Sequence, residues 1–317
     1  MGRLLAFLGG DATRVLFFGV FIGLLLPQLS ALFRPLLAPS VLVLLLAMLL
    51  RVDWRAIAER LRQPLRALLL GLAVLIASPL LFWLVLTPLE LPPALYTALV
   101  LMAAAPPILS AISFTVFLGL DSALAVVVAV LCTLLAPLSL PPLVLALIGV
   151  DLDIEVLDLM LRMAVIVVGA FVGAAVVRRL AGAEAIAARA AQIDGAIVIV
   201  LLVFAIAIMD GVTATLLERP ATVLTWLLAA FAANAALQVA GGLAFALQGR
   251  RLALTAGLLL GNRNMGLLLA ALPAGSDPDI GLFLAVGQIP IYTLPALSLP
   301  ICRKLLSKSN GKPANPT

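Results

Sequence analysis

The sequence contains no histidine and has few charged residues. Of its 317 residues, 11% are charged and 64% are hydrophobic, and the mean hydropathy is +1.26. Soluble globular domains carry about 25% charged residues. This composition excludes an ordinary soluble domain and predicts a polytopic, all-α membrane protein embedded in the lipid bilayer.

The missing residue types exclude several kinds of chemistry. Without histidine there is no Ser-His-Asp triad and no imidazole metal ligand. The two cysteines, Cys132 and Cys302, fall in different apolar runs, so no disulfide framework is predicted. No Gly-x-x-x-x-Gly-Lys-Ser/Thr phosphate loop occurs. We therefore expect neither an enzyme nor an ATP-driven pump, and no cofactor.

Ten apolar runs are long enough to span a bilayer, and short connections join them into one integral domain over residues 1–317. The polar segment 307–317 is predicted to be a cytoplasmic tail. The runs lie near residues 15–33, 36–50, 65–87, 94–119, 122–148, 157–177, 195–209, 222–248, 252–272 and 280–301.

The basic residues fix the predicted orientation. With ten spans and a cytoplasmic N-terminus, 16 of the 20 lysines and arginines fall on the cytoplasmic side. The exceptions are Arg34, Arg162, Arg219 and Arg263. Cytoplasmic loops of membrane proteins are enriched in Lys and Arg, so both termini are predicted to be cytoplasmic. The net charge of +5 therefore reflects topology and does not predict nucleic-acid binding.

The two halves of the chain share short motifs. A Gly-x-x-x-Gly motif starts at Gly19 in the first run, and another starts at Gly169 in the sixth. The strings Leu135-Ala-Pro-Leu-Ser-Leu-Pro141 and Leu294-Pro-Ala-Leu-Ser-Leu-Pro300 occur in the fifth and tenth runs. The two offsets are 150 and 159 residues. Because five spans is an odd number, we expect two inverted repeats, over residues 15–148 and 157–301.

Two runs are interrupted at corresponding positions of the predicted repeats. The ninth contains Gly261-Asn-Arg-Asn-Met-Gly266, and the fourth contains Pro106-Pro107. An arginine at the bilayer centre costs about 3 kcal/mol on insertion scales, and each proline removes a backbone donor. Paired interrupted spans indicate a transporter binding site. Either break alone is as consistent with a purely structural feature, namely a proline kink and a polar cluster, as with a binding site.

The ten spans, the five-plus-five repeat and the two breaks resemble the bile acid:sodium symporter family. Phe117-Leu-Gly-Leu-Asp121, and Gly261 to Gly266 followed by leucines, resemble its bacterial members. The resemblance covers about Val15 to Cys302. It implies a panel domain (spans one, two, six and seven), a core domain (the other six), broken helices four and nine that cross, and a substrate cavity between the domains. A bacterial inner membrane is the implied location.

The chain departs from this family where the family binds sodium. Sodium-coupled members place a Ser-Asn pair at the fourth-span break, hydroxyls on the fifth span and a glutamate on the ninth. Sodium requires several oxygen ligands, and none of the aligned side chains supplies one, so no metal site is predicted. The aligned residues are Ala111, Ile112, Ala125, Ala129 and Leu259.

A glutamine of the family near the ninth-span break aligns with Arg263. A fixed guanidinium repels a cation and attracts an anion, and half-helix N-termini at the breaks add partial positive charge. We therefore hypothesise that Arg263 replaces the charge of sodium, while Asn262 and Asn264 brace the crossing. The alternative is that Arg263 pairs with carbonyls freed by the fourth-span break and never meets substrate.

Other polar residues within spans are candidate substrate ligands. Asn234 and Gln238 share a helix face, although such a pair more often forms a structural hydrogen bond. Gln288 precedes a proline in the tenth span. Ser110 and Ser113 follow the double proline, where they present hydroxyls to a ligand or to freed carbonyls.

The leading function is a secondary transporter of a small organic anion resembling a bile acid, pantoate or a keto acid. Sodium coupling is doubtful, and a monomer is expected. An arsenite efflux permease is an alternative on the same fold, but it requires a reactive cysteine at the fourth-span break, where none occurs. A non-transporting receptor is a third class, which leaves the paired breaks unexplained.

Overall fold

The described part of the chain is almost entirely helical. The computed structural model describes residues 12–60, 62, 64–149, 155–273 and 275–307. The predicted tail therefore lies outside the described residues from position 308 onward. Eighteen α-helices occur in the described ranges. They are α1 Ala12–Leu25, α2 Pro27–Phe33, α3 Leu37–Arg51, α4 Trp54–Arg60, α5 Pro64–Leu72, α6 Ser78–Leu86, α7 Pro93–Ala104, α8 Ala111–Phe117, α9 Ser122–Ile148, α10 Val156–Ala181, α11 Ala183–Ala188, α12 Ala190–Ala207, α13 Val212–Glu218, α14 Pro220–Ala244, α15 Arg250–Gly261, α16 Met265–Ala271, α17 Pro278–Val286 and α18 Gln288–Ser307.

Several helices are long and apolar enough to cross a bilayer, which makes this an integral membrane protein. Seven candidate spans occur among the described residues. The predicted first, fourth and ninth spans are not among them: α1 has only 14 residues, and the other two are each divided into two short helices. The predicted count of ten stays a prediction. The seven are Pro27–Arg51, Pro64–Leu89, Ser122–Ile148, Val156–Ala181, Ala190–Glu218, Pro220–Ala244 and Pro278–Leu306.

The boundary between the first two predicted spans was wrong. We expected it near residues 34–35, but the chain breaks at Leu26 and then continues as one apolar helix, Pro27–Arg51. Leu26 precedes a proline and leaves the helical region, with φ −122° and ψ 72°. Pro27 has no N–H, so the hydroxyl of Ser30 donates to the carbonyl of Gly23 instead, at 2.8 Å. The sequence signal at Arg34-Pro35 marks only a 3₁₀ turn, Arg34–Leu36.

The helices pack into two groups. The panel group contains α1–α3 and α10–α13, and the core group contains α5–α9 and α14–α18. Helix α4 connects them, and its Arg60 forms an ion pair with Asp121 of the core group at 2.8 Å. The grouping agrees with the panel and core domains that the family resemblance implies.

The glycine motifs lie at close helix contacts within the panel group. A Cβ added at Gly19 would lie 2.7 Å from Cβ of Ala205, so α1 approaches α12 closely. A Cβ added at Gly173 would lie 2.6 Å from Cδ1 of Leu46, so α10 approaches α3 in the same way. The packing role predicted for the two Gly-x-x-x-Gly motifs is therefore present in the structure.

Substituting one of these glycines should destabilise the panel group. In Gly23→Ala, the new Cβ would lie 2.9 Å from Cβ of Met209 and 3.0 Å from the carbonyl oxygen of Ile206, which the backbone holds in place. We expect a loss of about 1–3 kcal/mol in the free energy of unfolding, measured by denaturation in mixed micelles.

Gly242→Ala is the matched control. Its Cβ would meet no atom nearer than 3.8 Å, so alanine should be neutral or stabilise the helix by up to about 1 kcal/mol. Equal effects of the two substitutions would contradict the assigned packing.

Candidate functional site

The first break lies between α7 and α8. Pro106 and Pro107 have no N–H groups and cannot continue a helix. Ala105, directly before them, is extended, with φ −61° and ψ 148°. Helix α8 begins at Ala111. The double proline therefore ends α7 and exposes backbone carbonyls in the middle of the bundle.

The second break lies between α15 and α16. Helix α15 ends at Gly261, and Asn264 caps α16 by accepting a hydrogen bond from the amide of Leu267 at 3.0 Å. Nδ2 of Asn262 donates to the carbonyl of Leu258 at 2.8 Å. The side chains of the two asparagines thus satisfy backbone groups on either side of the break.

The two breaks are joined by backbone hydrogen bonds. The amide of Ile108 donates to the carbonyl of Asn262 at 2.9 Å, and the amide of Asn264 donates to the carbonyl of Pro106 at 2.8 Å. Pro107 and Arg263 form an antiparallel bridge between them. Non-helical backbone at membrane depth requires such internal partners. The predicted meeting of the broken helices is therefore present.

Arg263 is fully buried between the two breaks. Its Nη1 donates to the carbonyls of Val74 and Ala105, at 3.0 and 2.7 Å, and its Nη2 donates to Oγ of Ser78 at 2.6 Å. Nε donates to the carbonyl of Leu260. Four of its five N–H groups therefore have protein acceptors, and all these acceptors are neutral. The contacts match the alternative in which Arg263 pairs with freed carbonyls.

A π-turn in the third span supplies two of these acceptors. Residues Ala73–Ala77 form the turn between α5 and α6, and the amide of Ser78 donates to the carbonyl of Ala73. The next residue, Pro79, cannot donate, so the carbonyl of Val74 is free for Arg263. The hydroxyl of Ser78 lies 2.7 Å from the Val74 carbonyl and 2.9 Å from the Ala103 carbonyl. We did not predict this turn, although Ser78-Pro79 in an apolar run was a signal for it.

The positions aligned with the family's sodium ligands are apolar and packed. Leu259 and the three alanines are fully buried, and Ile112 is half-buried. Among the described residues, no carboxylate bonds to Arg263, and no group of three or more Cys, Asp or Glu residues could hold a metal ion. Among the described buried residues, the guanidinium of Arg263 is the one formal charge.

A cavity of about 40 Å³ lies where the panel group meets the breaks. Ligand pockets typically measure about 300–1,000 Å³, so the site is nearly closed in this structure. The panel wall is wholly apolar, and the polar groups lie on the core wall. The panel residues are Val41, Leu44, Leu45, Met48, Leu201 and Phe204, and the core residues are Ile108, Leu109, Asn264, Gly266, Gln288 and Tyr292.

Two of the predicted ligands lie on the cavity wall, and a third is close to it. Asn264 and Gln288 line the cavity, and Oε1 of Gln288 is buried without a hydrogen-bond partner. Ser110 lies next to the lining residue Leu109, and its Oγ also lacks a partner. Tyr292, which also lines the cavity, was not predicted as a site residue. Nothing in its apolar sequence context indicated that it faces a cavity.

The other predicted ligands do not line this cavity. Arg263 and Asn262 are fully buried and do not line the cavity, and Ser113 is exposed on α8. Asn234 and Gln238 bond to each other at 2.8 Å and pack on the second break, where a Cβ at Gly261 would lie 2.2 Å from Cγ of Gln238. A role of these residues in substrate binding stays a prediction.

Glycines set two close approaches at the site. A Cβ at Gly266 would lie 2.7 Å from Cζ of Phe204, so the panel aromatic ring rests on the start of α16. A Cβ at Gly287 would lie 2.6 Å from Cε of Met265, at an unpredicted interruption between α17 and α18. The panel group therefore contacts the second break without an intervening side chain.

Removing the hydroxyl of Ser78 should destabilise the buried arginine. Ser78→Ala leaves an N–H of Arg263 without an acceptor in a dry environment, so we expect a loss of about 1–3 kcal/mol in the free energy of unfolding. Ser139→Ala is the control, because its hydroxyl bonds only to the Leu135 carbonyl of its own helix. We expect that control to stay within about 0.5 kcal/mol of the unmodified protein. Equal losses would show that the Ser78 contact is not supporting Arg263.

A family comparison identifies the chain. The model of the Sodium Bile acid symporter family matches residues 38–218, which is more than half of the chain. The match includes the first break and ends before the second. No curated protein matches the chain significantly. The family consists of membrane transporters, as the fold and the paired breaks predict. The chain belongs to the sodium bile acid symporter family.

Proposed function

We propose that this protein is a secondary transporter that moves a small amphipathic organic anion by alternating access, without sodium coupling. The observation that carries this proposal is the two-sided cavity at the paired helix breaks. Its panel wall is apolar, and its core wall presents the polar groups of Asn264, Gln288 and Tyr292. An amphipathic ligand places its apolar body against the first wall and its polar end against the second.

The contact between the two groups favours relative motion. Among the described residues, the side chains that line the cavity form no hydrogen bond across it, and the panel side offers only apolar atoms. Apolar surfaces can slide past each other without breaking hydrogen bonds. The nearly closed cavity then represents one state of the cycle, and a rigid-body movement of the panel group opens it to either side.

The charge of Arg263 supports an anionic substrate and the absence of sodium coupling. Its guanidinium lies among carbonyls at the ends of α7 and α15, which are the kind of oxygen ligands that bind a cation. We propose that Arg263 is a permanent internal cation in place of sodium. The proposed substrate contacts are Asn264, Gln288, Ser110 and Tyr292. Arg263 acts on the anion through its electric field, without contact, since it does not line the cavity.

We further propose ten spans in two inverted repeats, with both termini in the cytoplasm of a bacterial inner membrane. The close contacts of α1 with α12 and of α10 with α3 support the repeat, because they pair the first span with the seventh and the sixth with the second. The breaks in the fourth and ninth spans occupy equivalent places. A monomer is sufficient, since both walls of the cavity come from one chain.

The alternative functions gain no support. Arsenite binding requires a cysteine at the cavity, and Cys132 lies on α9 and does not line it. A receptor without transport would not need an apolar boundary between its two helix groups.

Uptake by the purified protein in liposomes tests the proposed function. Radiolabelled taurocholate, pantoate and short keto acids are offered in sodium or in potassium medium. We expect at least one anion to enter above the rate in empty liposomes, at equal rates in the two media. Sodium-dependent uptake would refute the proposed loss of sodium coupling, and no uptake of any anion would refute the substrate class.

Two glutamine variants connect this activity to the cavity. Gln288→Ala removes an amide from the core wall, so we expect KM to rise about tenfold, as for one lost hydrogen bond to a charged group. Gln248→Ala is the control, because Gln248 is exposed in the 3₁₀ turn Ala246–Gln248. An equal KM in both variants would show that Gln288 does not bind the substrate.

A further inference from the structure

A second, larger concavity lies on the outside of the core group. It measures about 460 Å³ and is separate from the site between the two groups. We call it the lateral groove, since it runs between the third span and α9. Its lining residues are Pro64, Ala67, Leu68, Gly71, Leu72, Leu75, Ile76, Val128, Leu131, Cys132, Leu135, Leu138 and Ser139.

The lateral groove opens toward the hydrocarbon of the bilayer. Its rim includes Leu68 and Leu138, which are 57% and 66% exposed in a segment that spans the membrane. Its floor includes Cys132 and Leu75, which are 1% and 7% exposed. The space is therefore a slot that enters the helix bundle from the lipid side.

The chemistry of the groove selects a hydrocarbon chain as its occupant. Ser139 is its single polar lining residue among those described, and its hydroxyl already donates to the carbonyl of Leu135. Water needs two or more polar partners to be held in such a place, so water is excluded. Gly71 creates part of the space, because a Cβ there would meet nothing nearer than Sγ of Cys132, at 3.9 Å.

Basic side chains flank the end of the groove at Pro64. Arg62 and Arg66 are both exposed, and neither forms an ion pair with another described residue. Long basic side chains near a membrane surface reach to the headgroup level. Basic residues beside a slot between membrane helices bind anionic lipid headgroups. A phospholipid therefore fits with its chain in the slot and its phosphate beside the two arginines.

We propose that the lateral groove is a binding site for one anionic phospholipid. Its acyl chain fills the slot against Gly71 and Cys132, and its headgroup is held by Arg62 and Arg66. Leu75 and Ile76 belong both to the groove wall and to the π-turn whose Val74 carbonyl binds Arg263. The lipid therefore packs directly against the element that holds the buried arginine. The proposed lipid site requires only that the protein is embedded in a membrane, and it does not rest on the identity of the transported substrate.

Native mass spectrometry of bound lipid tests the proposal. The full-length protein is reconstituted in nanodiscs of phosphatidylethanolamine and phosphatidylglycerol, transferred to detergent and washed. We expect one phosphatidylglycerol to remain bound. Gly71→Leu fills the slot and should remove it, while Val165→Leu on the lipid face of α10 should not. Equal thermal melting of the variants shows that both remain folded.

The headgroup contact is tested separately. Each arginine near an anionic surface contributes about fivefold in affinity, so Arg62→Gln with Arg66→Gln should lower the preference for phosphatidylglycerol about 25-fold. Arg179→Gln, an exposed arginine on the same predicted side of the membrane, should leave it unchanged.

The proposal would be overturned by the absence of retained lipid in the unmodified protein, by equal retention in Gly71→Leu, or by equal binding of the two phospholipids. Displacement of the retained lipid by taurocholate would instead show that the groove is a site for organic anions, which also contradicts the proposal. None of these results depends on uptake, so they are distinct from a failure of the transport function.

Discussion

The structure depends on the buried guanidinium of Arg263, which has no carboxylate partner among the described residues. An arginine at membrane depth costs about 3 kcal/mol on insertion scales and more without partners. Here the cost is offset by carbonyls, since three of its acceptors are backbone oxygens and the fourth is a serine hydroxyl. Those carbonyls are free only because three helices are irregular at one place: α7 ends before a double proline, α15 ends at Gly261, and the third span contains a π-turn.

If Arg263 replaces sodium as proposed, the positions aligned with sodium ligands need no oxygen atoms. A sodium ion needs oxygen ligands from several elements, whereas an arginine brings its own charge and needs only acceptors for its N–H groups. The breaks and their backbone bridge are therefore retained without a carboxylate nearby. The core wall of the cavity takes Asn264 from the second break and Gln288 and Tyr292 from α18, and the opposite wall is the apolar surface of the panel group.

The sequence was informative where residues interrupt a helix and uninformative where apolar residues face one another. Pro106-Pro107 and Asn262 to Asn264 marked the breaks, because proline and asparagine act on the backbone directly. The glycine pairs also marked close contacts. The π-turn at Ala73–Ala77 was missed, because an added residue leaves no periodic pattern in an apolar run and the only local signal was the pair Ser78-Pro79. Arg34-Pro35 misplaced a helix end because a first turn tolerates proline at both places: Pro27 begins a new helix after Leu26 leaves the helical region, whereas Pro35 lies in a 3₁₀ turn inside a continuous helix. Which side of α3 and α12 lines the cavity could not be predicted, because residues 41–48 and 195–207 are apolar throughout.

The central claim is that the positive charge at the site belongs to the protein and does not move with the substrate. The most direct test is the dependence of anion uptake on membrane potential, imposed on proteoliposomes with potassium gradients and valinomycin. A fixed Arg263 predicts that each cycle moves the negative charge of the anion alone, so a potential that is positive inside accelerates uptake. Acceleration by a potential that is negative inside, seen only with sodium outside, would show that sodium ions accompany the anion and would contradict the account.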